Sequence, residues 1–270
     1  VKRRTITSAV LMNLLRIRHN FILRKRLERL LLDLPDAAWR RATGRDHWPP
    51  YSLRAFVGGA RDFDQAGRWF AGELARLGLL TRETRILDVG CGCGRLAYPL
   101  ATDERLRELG IRYQGMDIDP AAVRWCRRHI TPRNPGFRFD QADVYNRSYH
   151  PRGARRAEEY AFPYPDASFD LILLTSVFTH LLEPELRNYL SEVSRLLAPG
   201  GVAYASFFLF NTAAEAAEGS PRHGIRFPFA RGYAACNRED FEENAVAYSE
   251  PFIRDTAAAL GLGVVEPVAY

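Results

Sequence analysis

The spacing of apolar and polar positions changes period along the chain. Over residues 8–33, "SAVLMNLLRIRHNFILRKRLERLLLD", Leu11, Leu14, Leu15, Phe21, Ile22 and Leu30 recur at roughly helical spacing with arginines between them. That pattern predicts an amphipathic helix capped by Ser8. Residues 44–63 show no period and are rich in glycine and proline, so they read as a loop. Helical spacing returns from Asp64 to Leu80 through Trp69, Phe70, Leu74 and Leu77. Five short strand-like runs follow: "RILDV" (85–89), "IRYQGMD" (111–117), "FRFDQAD" (137–143), "FDLILLT" (169–175) and "GVAYASFFLF" (201–210). Helical patterns at 94–109, 120–130 and 184–197 separate them.

Strand and helix in alternation predict a doubly wound α/β fold with a mostly parallel sheet covered on both faces. Right-handed crossovers put the strand C-termini along one edge. Ligands bind at that edge, near the switch point in strand order. Two stretches leave it without a clear period: 146–165, rich in Arg, Pro and Tyr, and 211–248. Both are expected to be irregular insertions that shape a substrate mouth.

Charge divides the chain unevenly. Residues 1–45 hold twelve Lys/Arg and three Asp/Glu, a local +9 within a chain of net charge +6, so the remainder carries −3. We therefore expect a basic helical extension over 1–45 and one domain over 46–270. The extension suits a helix packed on the domain with its arginines in water. A membrane-surface or anionic protein contact is the alternative. Nucleic acid is not expected, because the body lacks the aromatic-plus-basic constellation of RNA readers. No apolar run approaches the roughly 18 residues of a membrane span, and no signal-peptide pattern opens the sequence. Four cysteines at 91, 93, 126 and 236 form no disulfide framework. A cytoplasmic protein is expected.

The densest chemistry lies in "ILDVGCGCGRL", residues 86–96. Cys91 and Cys93 lack further ligands at zinc spacing, so no metal site is expected and the thiols read as small side chains in a tight turn. Glycines at 90, 92 and 94 between a strand and a helix let a ligand approach bare backbone. A dinucleotide fingerprint wants its third glycine at 95, where this chain has Arg95.

The stretch "ILDVGCGCGRLAYPLA" resembles the first motif of class I S-adenosylmethionine-dependent methyltransferases. "YQGMDIDP", "FDQADVYN", "FPYPDASFDLILLTSVFTHL" and "YLSEVSRLLAPGGVAYASF" resemble the family's later motifs, in order. The resemblance implies a Rossmann-like fold that binds S-adenosylmethionine and releases S-adenosylhomocysteine. It assigns Asp117 to the ribose hydroxyls and Asp143 with the Val144 backbone to the adenine amino group. Ile118 and Val144 flank the ring; Gly90, Cys91, Gly92, Gly94 and Thr175 lie along the cofactor. Asp88 orders the turn or meets the methionyl ammonium. His180, after strand four, is the candidate base, with ordinary loop hydrogen bonding as its alternative. Tyr51, Phe56, Phe178, Asn211 and His223 are candidate acceptor contacts, whereas Phe207 reads as core. The loop around Tyr51 is a candidate lid.

The implied reaction is methyl transfer to a small or medium acceptor, at oxygen, in a glycan or secondary-metabolite pathway. A nicotinamide-dinucleotide oxidoreductase and a non-catalytic cofactor-binding scaffold are the alternatives. The family sheet ends in a sixth strand and an antiparallel seventh. Here "GLGVVEPVAY" (261–270) supplies one strand, and the sequence starts at Val1. A trimmed chain, or an edge covered by a partner chain, is the expectation.

Overall fold

The computed structural model describes residues 31–55, 62–218 and 224–266. The helix expected over 8–33 therefore lies almost wholly outside the described residues. The central sheet has five parallel strands in the order β3-β2-β1-β4-β5: β1 (Arg85–Val89), β2 (Arg112–Asp117), β3 (Phe137–Gln141), β4 (Phe169–Leu174) and β5 (Leu197–Ala205). The order reverses between β1 and β4, so the switch point lies directly beyond the C-termini of these two strands. Leu87, Ile172, Leu173 and Leu174 are fully buried, as a sheet covered on both faces requires.

Helices α1 (Asp33–Ala42), α2 (Tyr51–Arg54) and α3 (Phe63–Arg76) precede the sheet. The one-turn α2 lies inside the stretch expected to be a loop. It is tied to α1: Asp33 accepts from the Ser52 amide (2.8 Å) and hydroxyl (2.7 Å), and Asp36 pairs with the buried Arg54. Trp48, Leu53 and Phe63 then pack with Cys93 and Ala122 against the outside of the glycine turn. Gly67 brings α3 against the same turn, where a Cβ would stand 2.2 Å from the Arg95 carbonyl oxygen.

The helix expected over 94–109 is two helices, α4 (Ala97–Thr102) and α5 (Glu104–Arg107). Asp103 breaks it: its backbone is extended, and its carboxylate accepts from the Arg105 and Leu106 amides as an N-cap. Helices α6 (Pro120–His129) and α7 (Glu183–Leu196) fall within a residue of expectation. Asp119 caps α6 and Pro120 opens it.

The stretch 211–248 is not irregular. It holds α8 (Ala213–Glu218) and most of a second sheet, ordered β6-β9-β8-β7. These strands are β6 (Phe208–Phe210), β7 (Phe229–Arg231), β8 (Ala234–Cys236) and β9 (Val246–Ser249). Runs of three or four residues are too short to register as a period, and β7 and β8 turn on Gly232 with φ of +63°. Helix α9 (Glu250–Ala259) follows. The strand expected at 261–270 does not form over residues 261–266, which are turn and coil, and the last four lie outside the described residues.

Candidate active site

Strand β1 delivers Asp88 and then a turn in which Gly90, Gly92 and Gly94 all have left-handed φ, at 74°, 55° and 79°. Only glycine adopts that region without strain. The Gly90 and Cys91 amides both donate to the Met116 carbonyl, at 2.7 and 3.2 Å. The Gly92 amide donates to Asp117 Oδ2 at 2.7 Å, and Asp117 Oδ1 accepts from the Asp119 amide at 2.7 Å. The turn and the β2 carboxylate thus form one hydrogen-bonded unit at the switch point. A Cβ on Gly90 would stand 2.7 Å from Val177 Cγ2. Gly94 serves packing instead: its missing Cβ leaves room for Ile130 and Cys126.

The cysteines are packing groups. The Cys91 and Cys126 thiols both lean on the Gly92 carbonyl, at 3.7 and 3.6 Å. Burial pushes both thiols well above their usual pKa, which keeps them protonated and unreactive. Among the described residues no group of three or more His, Cys, Asp or Glu side chains converges as a metal site.

Asp88 is buried and accepts the Tyr113 hydroxyl. Burial pushes its carboxyl up to about 7, against the Tyr113 bond and with the neighbouring Asp117 charge adding to the rise. Its partner Tyr113 is what orders it. Tyr113 opens the stretch "YQGMDIDP", but the resemblance gives it no role; a tyrosine at a central-strand position needs a partner for its hydroxyl.

The register Asp88↔Leu173 brings Thr175 to the level of Gly90. Thr175 Oγ1 is buried with no hydrogen-bond partner among the described residues. Such a group costs about 1–3 kcal/mol unless a ligand or water satisfies it. Bare backbone, a strand-end carboxylate and an orphaned hydroxyl are the groups an adenosyl sulfonium with an amino-acid tail needs, so the residues present fit that cofactor.

Beyond β3, Asp143 lies two residues past the strand end rather than on it. Its carboxylate is 57% exposed and accepts from His150 Nε2 at 3.0 Å and the Ala154 amide at 3.3 Å. Val144 is buried in the core and Ile118 packs against the same cluster. Beyond β4, Ser176 adopts a left-handed φ of 58° and donates its amide to Ser206 Oγ at 2.7 Å. Phe178, expected to line the acceptor pocket, is instead fully buried and stacks on Phe207 at 4.7 Å. Its ring fills the core under the loop.

His180 follows in a single 3₁₀ turn. Its Nδ1 lies 3.1 Å from the Glu243 carbonyl oxygen. A carbonyl accepts only, so Nδ1 carries the proton and Nε2 the lone pair. Tyr149 meets the imidazole edge-on at 6.3 Å between ring centres. Tyr149 and Glu243 come from the two excursions, after β3 and after β5, and neither belongs to a motif. Tyr51 is half-buried in α2, with its amide on Asp36. Asn211 is exposed, its amide on Glu215 ahead of α8. Phe56 and His223 lie outside the described residues.

The family model "Methyltransferase domain" matches residues 87–205, from the middle of β1 to the end of β5. Residues 87–205 of this chain form a methyltransferase domain. The chain is 32% identical over 129 residues to the Mycolicibacterium smegmatis fatty-acid O-methyltransferase, covering 48% of this chain and 37% of that protein. It is 26% identical over 178 residues to the Amycolatopsis mediterranei 27-O-demethylrifamycin SV methyltransferase, covering 66% of this chain and 55% of that one. The chain thus spans roughly half or less of these relatives' lengths. Among solved structures, the Burkholderia thailandensis 1,6-didemethyltoxoflavin-N1-methyltransferase matches at 19% identity and a TM-score of 0.44, over 86% of this chain and 77% of that one.

Proposed function

We propose that this methyltransferase domain moves a methyl group from S-adenosylmethionine to an oxygen atom of a small or medium-sized acceptor. One observation carries the reading: the Gly92 amide bonds to Asp117 at the switch point, so bare backbone and a carboxylate share one edge. When bound, S-adenosylmethionine supplies an electrophilic sulfonium methyl. The protein supplies alignment and exclusion of water. Asp117 holds the ribose hydroxyls, Asp143 the adenine amino group, and Thr175 Oγ1 and the Gly90–Gly92 backbone the amino-acid tail. Acceptor oxygen is supported by the names of the two relatives above, both O-methyltransferases by name or by the position they modify.

A hydroxyl acceptor has to lose a proton, and a carboxylate does not. His180 is the base for the first case: the Glu243 carbonyl fixes its tautomer and leaves Nε2 to accept the proton. Tyr149 walls the imidazole on one side. The glycan or secondary-metabolite setting rests on the resemblance of "GCGCGR" and "SVFTHL" to bacterial members of the family.

Thermal shift with S-adenosylmethionine, S-adenosylhomocysteine and NAD tests the cofactor, since a ligand selective for the native state raises its melting temperature. The first two should stabilise the protein and NAD should not. Incubation with methyl-labelled S-adenosylmethionine and, separately, oleate, a simple phenol and a hexoside tests the acceptor atom. Label confined to nitrogen acceptors would refute transfer to oxygen. Cofactor binding with no turnover on any acceptor would favour a scaffold instead.

The basic residues 1–45 are proposed to contact an anionic membrane surface or protein. No helix among the described residues is long and apolar enough to cross a membrane. Co-sedimentation with phosphatidylserine vesicles, lost on deleting 1–30 and absent with phosphatidylcholine alone, is the expected result.

A further inference from the structure

The excursion after β3 does more than lengthen a loop. Asn146 and His150 exchange both backbone hydrogen bonds, at 3.1 and 3.0 Å. Asn146 Oδ1 accepts from the Ser148 and Tyr149 amides, each at 2.9 Å. The Arg155 amide donates to the Asp143 carbonyl at 2.9 Å, and the Tyr145 amide to the Arg155 carbonyl at 2.7 Å. At Gly153 a Cβ would meet the Val144 backbone at 2.3 Å, so the returning chain lies directly on the outgoing one. A knot of main-chain bonds therefore fixes His150 relative to Asp143.

The two side chains differ in exposure. The His150 imidazole is 13% exposed and the Asp143 carboxylate 57%. Both donors to the carboxylate, His150 Nε2 and the Ala154 amide, fall on Oδ1. Among the described residues no donor bonds to Oδ2. One oxygen is thus anchored from the protein side while the carboxylate as a whole remains accessible.

We infer that His150 is a positioning residue that holds the Asp143 carboxylate in place to accept the exocyclic amino group of the cofactor's adenine. The proposal rests on the cofactor reading above. His150 touches no reacting atom; its effect is confined to how well the site tells an amino group from an oxo group at that ring position. A charged acceptor fixed opposite an amino donor favours it by a hydrogen bond, and a carbonyl there meets the carboxylate with repulsion.

The test compares S-adenosylhomocysteine with its 6-oxo analogue, S-inosylhomocysteine, by calorimetry on the full chain. The wild-type protein should prefer the adenosyl compound by about 10-fold or more, the worth of one charge-assisted hydrogen bond. His150→Ala should bring that ratio close to one. His150→Gln keeps an N–H donor of similar reach and should restore part of it. His150→Asn is polar but too short to span the distance and should behave like His150→Ala, which keeps the test open should the alanine variant not fold. A merely structural histidine would weaken both ligands alike and lower the melting temperature, leaving the ratio unchanged. Wild-type protein that binds S-adenosylhomocysteine while His150→Ala and His150→Asn keep its preference overturns this proposal alone. Wild-type protein that binds neither compound overturns the cofactor reading and this proposal with it.

Discussion

Two parts of one sheet edge are built by different means. The turn after β1 is held almost entirely by main-chain groups: the Gly90, Cys91 and Gly92 amides reach only as far as Met116 and Asp117 on the adjacent strand. The surroundings of His180, proposed to face the acceptor, are assembled from three distant segments, with His180 after β4 meeting Tyr149 from one excursion and the Glu243 carbonyl from another. The first arrangement follows from where glycine can bend and which strands are neighbours. The second exists only once the second sheet has folded onto the first.

Removing His180 breaks the comparison most sharply. His180→Ala should lower turnover on a phenol by about 10²–10⁴-fold, the usual contribution of a positioned base. Turnover on oleate, already ionised, should change little, and S-adenosylhomocysteine affinity should not change. Equal loss on both acceptors would make His180 a structural residue. On the other side, Asp117→Ala should weaken S-adenosylhomocysteine by about 10²-fold, consistent with loss of charge-assisted bonds to two hydroxyls. It also strands the Gly92 and Asp119 amides, so calorimetry is to be read beside a melting curve.

Asp88 separates the two kinds of construction by pH. Its carboxyl is raised to about 7 in the folded protein, chiefly by burial, against roughly 3.9 in an unfolded chain. The folded state therefore holds the proton more tightly. The associated stability is fully present below pH ~4 and is lost as pH rises through the folded value. Between pH 5 and pH 8 this loss should be on the order of 2 kcal/mol, by the usual 1.4 kcal/mol per unit of pKa. Urea unfolding across that range measures it. Asp88→Asn should flatten the slope, because an amide keeps an acceptor for the Tyr113 hydroxyl and never ionises. An unchanged slope in that variant would assign the pH dependence elsewhere.

The same division explains what could be read from the sequence. The five strands, the gathering of their C-termini on one edge and the presence of the glycine turn and Asp117 at that edge were legible because each is encoded within one or two adjacent segments. Tyr113 and His150 were not: each acts through a single side-chain bond to a carboxylate, Asp88 or Asp143, and no spacing announces such a bond. The short strands β7 to β9 were missed because runs of three or four residues carry no period, and β6, read as the end of the fifth strand, belongs to the second sheet. Phe178 was misplaced because an aromatic in a motif looks alike whether it lines a pocket or, as here, stacks on Phe207 beneath it.

Asp103 gives the smallest effect and the cleanest control. It lies between α4 and α5, behind the glycine turn, and splits what the apolar spacing alone would make one helix. Its φ of −73° and ψ of 124° take the backbone out of the helix, and its carboxylate gathers the Arg105 amide at 3.1 Å and the Leu106 amide at 3.4 Å. Asp103→Ala removes that cap and restores a strong helix former, two effects of opposite sign. The cap is worth about 1 kcal/mol, and alanine's propensity over aspartate recovers less than about 0.7 in a position that tertiary packing keeps extended. A net loss of a few tenths to about 1 kcal/mol is expected in urea unfolding, with S-adenosylhomocysteine affinity unaltered. Because α4 runs on from the glycine turn, a change in that affinity would mean that the turn depends on the helices behind it as well as on the strands beside it.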